Sequence, residues 1–217
     1  TPPTAEVRAR AVLEKIGVSP GDPVLVGGST WDGEEAALAG LLPELRRRHP
    51  RLMLVLVPRH AERRDAVLAA LRERGLTVIQ RSRFPDDAPA PGQRPDVLLV
   101  DTTGELRGFY AAADVVFVGK SLTQTGGQNP IEPAKDGKPV VTGPHMENFP
   151  AIARDFTEAG AWVQAADAEG LRDAVQRLLD DAAERRRLGE AAAALIARKA
   201  GATRLMAERV LAARVAD

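Results

Sequence analysis

Several stretches of this chain carry residue types at spacings that could do chemistry. The first is Gly126-Gly127-Gln128-Asn129-Pro130-Ile131-Glu132. Paired glycines let a backbone approach a bound molecule closely, and Asn before Pro has the pattern of a helix start, with Asn129 as N-cap and Pro130 at the first helical position. Free N–H groups and the dipole at such a start attract an anion. Glu132 falls in the first turn, where its charge suits the dipole and its carboxylate can accept from ribose hydroxyls. The same letters also describe a plain tight loop followed by a first-turn acid, and both readings stand at this point. The second stretch is Pro58-Arg59-His60, where a guanidinium presents a planar, permanently charged fork of donors suited to phosphate. The third is Ser29-Thr30-Trp31-Asp32-Gly33-Glu34-Glu35, and the fourth is Asp101-Thr102-Thr103-Gly104-Glu105. Each of these two reads equally as a capped helix start, with Ser29 or Asp32 capping one and Thr102 or Thr103 the other. His145, in Gly143-Pro144-His145, invites a general-base reading, but a base needs hydrogen-bond reach to its proton.

The elements that must position these residues alternate along the chain. Thr4 to Gly17 has helical apolar spacing, capped by Thr4. Pro23–Gly28, Arg51–Val57, Leu76–Ile79, Asp96–Val100, Asp114–Val118, Lys138–Thr142 and Ala161–Gln164 read as short buried strands rich in Val, Leu and Ile. Helical patterns separate them, so the expected fold is α/β, a single Rossmann-like, doubly wound and mainly parallel sheet of about six or seven strands. The turn after the first strand has the place of a Rossmann phosphate loop, although it lacks GxGxxG. Arg81 to Pro95, with four prolines, is a surface loop. Asp167 or Ala168 opens a helix through Asp180, and 182–216 reads as two helices broken at Gly201. The expected layout is a leading helix over 1–20, an α/β core over 21–180 and C-terminal helices over 181–217. In a parallel sheet of this kind, all four stretches fall where ligands bind, at the carboxyl ends of strands.

Composition narrows the classes. With 30 Lys+Arg against 30 Asp+Glu, charge gives no case for a nucleic-acid partner, and 44% hydrophobic residues argue against disorder. The absence of Cys removes disulfides and thiolate metal sites, which suits a reducing compartment. The amino end does not resemble a signal peptide, and the apolar runs are too short to span a bilayer. An Arg-rich tail suggests a membrane-surface helix, but interspersed acids such as Asp181 and Glu190 favour a solvated face.

The run GGQNPIEPAKDGKPVVTGPHMENF from Gly126 to Phe149 resembles the signature of the bacterial 3-deoxy-D-manno-octulosonic acid (Kdo) transferases, usually GGHNPLEPAxxGKPVxxGPHMxNF. It departs at Gln128, where His is usual, and just upstream at Lys120, where Gly is common. Pro58-Arg59-His60, Ser29-Thr30 with Gly33-Glu34-Glu35, and Asp101-Thr102 with Gly104-Glu105-Leu106 resemble further family segments. The resemblance implies the carboxyl-terminal, nucleotide-sugar-binding half of a type-B glycosyltransferase that moves Kdo from CMP-Kdo to lipid A precursor. At 217 residues the chain is roughly half of such an enzyme at about 150 or more residues per domain. The acceptor-binding half would lie outside this chain. The expected donor contacts are Ser29, Thr30, Arg59, His60, Thr102, Gly104, Gly126, Gly127, Gln128, Asn129, Glu132 and His145, with Gly33 and Glu34 facing the cleft. The family's base is a Glu of the other domain, so no catalytic residue, cofactor or metal is expected here, and His145 is kept only as a donor contact. The resemblance places the full-length protein in the cytoplasm, peripherally at the inner face of the inner membrane. Two other classes fit the same loops: a type-B enzyme using a UDP-sugar, transferase or epimerase, and a non-catalytic binding module.

Overall fold

The computed structural model describes the backbone of residues 3–215 and the side chains of residues 3–201. Among the described residues, seven strands form one sheet in the order β3-β4-β2-β1-β5-β6-β7, and every neighbouring pair is parallel. The strands are β1 Val24–Thr30, β2 Met53–Pro58, β3 Val78–Gln80, β4 Val97–Leu99, β5 Val115–Val118, β6 Val140–Thr142 and β7 Val163–Gln164. The helices are α1 Ala5–Lys15, α2 Glu34–Arg48, α3 Arg64–Glu73, α4 Leu106–Ala112, α5 Ile131–Lys135, α6 Pro150–Glu158, α7 Ala168–Asp180 and α8 Ala182–Val215. Two 3-10 turns, Ala61–Arg63 and Arg81–Arg83, lead out of β2 and β3.

Strands this apolar are buried on both faces, and the two-residue period of a strand divides their side chains between two cores. In β1, Val24 and Val26 join one cluster with α1, α4, α6 and α8, while Leu25 joins the other with α2, α3 and α7. In β5, Val116 and Val118 face the first, Val115 and Phe117 the second. Each fully buried Val, Leu or Phe contributes about 1.5–3 kcal/mol, so a one-residue slip of register would forfeit many such terms together.

The chain lays β2, β4 and β3 to one side of β1. It then returns through α4 to place β5 on the other side, in register Leu25↔Val115 through Gly28↔Val118. This reversal makes a crevice between the carboxyl ends of β1 and β5. Gly28 permits it, because a Cβ there would lie 2.2 Å from the Tyr110 hydroxyl of α4.

The expected helix starts need correction. Neither Ser29 nor Asp32 caps α2; its N-cap is Gly33, left-handed at φ 85°. Neither Thr102 nor Thr103 caps α4, whose N-cap is Glu105. Pro130 is the N-cap of α5 rather than its first residue, and Asn129 acts one step earlier, its Oδ1 accepting from Ile131 N at 3.0 Å. Gly201 does not break the last helix, since α8 runs uninterrupted from Ala182 to Val215. A mid-helix Gly costs about 1 kcal/mol relative to Ala, too little to end a long helix already packed through Leu188, Ala192, Leu195 and Ile196. Thr4 and Asp167 cap α1 and α7 as expected, accepting from Val7 N and Gly170 N.

Candidate functional site at the sheet's switch point

The two adjacent acids at the start of α2 decide the geometry of the crevice. Glu34 is fully buried, and its carboxylate accepts four backbone N–H groups: Trp31 at 2.9 Å and Lys120 at 2.8 Å on Oε2, Ser121 and Leu122 both at 2.9 Å on Oε1. It therefore ties the turn after β1 to the loop after β5. Glu35 points the other way, accepting from the Thr30 hydroxyl at 2.9 Å and from Arg63 at 2.8 and 3.1 Å, so it ties the same turn to the segment after β2. Burial works against the Arg63 charge, but the bonds and charge of Glu35, with Asp32, outweigh it and raise the guanidinium's pKa above its ordinary value.

These contacts remove two residues from the expected cleft lining. Thr30 is buried with its hydroxyl spent on Glu35, and Glu34 is a strut between loops rather than a ligand contact. Ser29 does stand at the crevice, left-handed at φ 53°, and it shares a hydrogen bond with Tyr110. Burial, and then the charge of Glu132, hold the Tyr110 phenol well above its ordinary pKa, with the Ser29 bond pulling the other way. Ser29, Tyr110 and Glu132 thus converge from β1, α4 and α5. Tyr110 has no local sequence signal; the nearest is the Gly28 that makes room for it.

The glycine pair is tied internally. Gly126 N–H donates to Glu147 Oε2 at 2.7 Å, Gly127 N–H to Lys120 O at 2.7 Å and Gln128 N–H to Gly119 O at 3.1 Å. The backbone approach expected of this pair therefore offers no free Gly126 or Gly127 N–H to an anion. Both glycines are left-handed, φ 116° and 73°, and a Cβ would lie 2.6 Å from Asn148 Nδ2 at Gly126 and 2.5 Å from Met146 Sδ at Gly127. The close approach they permit is therefore to the loop after β6. That loop also holds His145, whose Nδ1 lies 2.9 Å from Glu147. The His145 bond, with the N–H of Glu147 itself and of Gly126, lowers the Glu147 pKa.

Other side chains are left available. Arg59 is exposed at the end of β2; its N–H donates to Thr30 O at 3.0 Å, and its guanidinium has no acceptor among the described residues. His60 stands edge-on to Trp31 with ring centroids 5.1 Å apart, and its Nδ1 lies 3.4 Å from the exposed carboxylate of Glu62. Gln128 is half-buried, and its amide makes no hydrogen bond among the described residues. Thr102 and Gly104 lie at the end of β4, two strands from β1, roughly 10 Å across the sheet at about 4.8 Å per strand. The Thr102 hydroxyl is bonded to Glu105, and a shallow cavity of about 450 Å³ there is lined by Arg81, Ser82, Thr102 and Glu105. The structure thus gathers Ser29, Arg59, His60, Gly126, Gly127, Gln128 and Glu132 around the β1–β5 crevice, and leaves Thr102 and Gly104 at a neighbouring position. Among the described residues there is no cluster of His, Asp and Glu suited to a metal, and no helix long and apolar enough to cross a membrane.

Residues 92–195 match the family model of group 1 glycosyl transferases. The single parallel sheet with its switch point has the architecture of a Rossmann-like half-domain of the type-B glycosyltransferase fold. The chain is 44% identical over 187 residues to a 3-deoxy-D-manno-octulosonic acid transferase of Bordetella pertussis, covering 85% of this chain and 43% of that protein. Over 181 residues it is 36% identical to the same-named protein of Haemophilus influenzae, covering 83% of this chain and 42% of the other. A crystal structure of the C-terminal CMP-Kdo binding domain of WaaA from Acinetobacter baumannii superposes with a TM-score of 0.79 at 28% identity, covering 88% of this chain and 97% of that one. Within the glycosyltransferases, then, this chain is a homologue of the Kdo transferases. It spans less than half the length of these two curated relatives.

Proposed function

We propose that this chain binds CMP-Kdo as the donor half of a Kdo transferase acting in lipopolysaccharide synthesis. One observation carries the reading: an exposed guanidinium with no acceptor among the described residues, Arg59, stands beside the switch-point crevice of a chain homologous to Kdo transferases along most of its length. Arg59 holds the phosphate, and Glu132 accepts from the ribose hydroxyls. Ser29, His60, Gln128 and His145 border the sugar and phosphate, and the backbone near Thr102 and Gly104 borders the cytosine. Because the N–H groups of Gly126 and Gly127 are occupied, that loop serves as a rigid wall and charge is met by side chains. Asn129 supports that wall through the bond its Oδ1 accepts from Ile131 N, just ahead of α5.

In the whole protein, a hydroxyl of lipid A precursor attacks the anomeric carbon of Kdo, and the carbon–oxygen bond to CMP breaks. The leaving phosphate takes the electron pair beside Arg59, whose fixed charge stabilises it. The base and the acceptor site belong to a second, acceptor-binding half, which docks peripherally at the inner face of the inner membrane. Titration calorimetry of this chain with CMP and with UDP tests the reading. CMP binds more tightly, and the chain alone shows no Kdo transfer. Tighter UDP binding would move the protein to a UDP-sugar enzyme of the same fold, and turnover by this chain alone would refute the division of labour.

A further inference from the structure

We infer that Lys120 is a specificity-determining cation of this site, its ammonium carried on the indole of Trp31 to meet an anionic group of the donor. The inference rests on the donor reading above. Lys120 follows β5 by two residues in a left-handed conformation, φ 57°, which a Lys rarely adopts. Such a conformation persists where the surroundings over-determine it. Here the Lys120 N–H donates to Glu34 at 2.8 Å, and its carbonyl accepts from Gly127 N at 2.7 Å. The backbone is thus pinned on both sides and fixes where the side chain goes. Its Nζ sits 4.4 Å from the centre of the Trp31 ring.

Among the described residues no carboxylate pairs with that ammonium. Three acids of the turn after β1 are committed elsewhere, Glu34 to four N–H groups and Glu35 and Asp32 to Arg63, and Glu132 of α5 makes no ion pair with Lys120. The same indole meets His60 at 5.1 Å, and His60 follows Arg59. One aromatic ring therefore carries two basic side chains, Lys120 from the end of β5 and His60 from the end of β2. An indole face holds a cation without neutralising it, so the charge stays available to a ligand. A nucleotide-activated sugar acid brings two anionic groups, a phosphodiester and a carboxylate, and Arg59 alone covers one of them.

Three variants of this chain separate charge from scaffolding. Lys120→Met keeps an unbranched chain on the indole but loses the charge, Lys120→Gly relieves the left-handed backbone and removes the side chain, and Lys120→Arg restores the charge. Binding of CMP and of CMP-Kdo is measured by calorimetry at low and at physiological salt. The Met and Gly variants each lose about tenfold in affinity for at least one of the two, with a weaker salt dependence, while Arg stays within about threefold of wild type. The Gly variant melts no lower than wild type. A loss confined to CMP-Kdo assigns the carboxylate as the partner, and an equal loss for both assigns the phosphate. Wild-type affinity for both ligands in Lys120→Met, or a loss in Lys120→Gly alone, overturns the inference. A wild type that does not prefer CMP to UDP overturns the donor reading itself, and this one with it.

Discussion

The two edges of the sheet treat their charged residues in opposite ways. At the amino edge, acids just before the strands are all partnered. Asp22 holds Arg51 at 2.6 and 2.8 Å, Asp96 accepts from Arg46 and from the N–H and hydroxyl of Thr77, and Asp114 accepts from Val24 N at 2.9 Å. At the carboxyl edge, Arg59, Gln128, Glu132 and the Lys120 ammonium have no hydrogen-bonded or ionic side-chain partner among the described residues, while the loops that present them are locked by Glu34, Glu35 and Glu147. Polar groups at the first edge contribute to stability. At the second, stability is concentrated in a few struts, Glu34 and Glu35 buried and Glu147 exposed, and the remaining charge is left for a ligand.

Glu34 should show the largest effect, because it stands at the binding edge yet works as a structural residue. Glu34→Ala leaves four backbone N–H groups without an acceptor and should cost about 3–5 kcal/mol of stability, read as a lower urea midpoint. A variant with a wild-type midpoint would remove Glu34 from the frame.

Arg59→Ala should do the reverse. Folding stability should change by less than about 0.5 kcal/mol, while CMP affinity falls about ten- to a hundredfold, equivalent to about 1.5–3 kcal/mol. Calorimetry and a thermal melt on one preparation check both, and a destabilised Arg59→Ala would erase the contrast between the edges.

The amino edge predicts a pH signature. Burial pushes the Asp96 carboxyl up, but the bonds from Thr77 and the charge of Arg46 outweigh it and hold the pKa below the ordinary value. A lowered carboxylate pKa contributes stability above about 3.9, the unfolded value, and that stability is lost as pH falls through the folded one. Asp96→Asn should cost about 1–2 kcal/mol at pH 7, and the gap from wild type should close as pH falls from about 3.9 through the lowered folded value. Urea melts across that range measure it; a gap independent of pH would assign the loss to packing.

Glu132→Ala should have the smallest effect, about 1 kcal/mol in CMP affinity and none for the 2′,3′-dideoxy analogue. An equal penalty for both nucleotides would return Glu132 to a first-turn acid.

The alternation of Val- and Leu-rich runs with helical spacing was enough to read a parallel doubly wound sheet, because burial on both faces leaves a continuous apolar signature that needs no knowledge of partners. The Thr4 and Asp167 caps were legible for a similar reason: the bond closes within three residues. The family signature from Gly126 to Phe149 and the charged fork of Arg59 were legible as well. Which polar groups remain free was settled only in three dimensions. Glu34 takes N–H groups from residues 86 to 88 positions away, and Glu147 takes one from a glycine 21 positions away. A local pattern can name a carboxylate or a glycine loop, but whether its hydrogen bonds are spent on the protein or kept for a ligand depends on distant segments that the sheet order brings together. For the same reason Gly201 read as a break: its intrinsic cost is local and visible, whereas the packing of Leu188 through Ile196 that carries the helix onward is not.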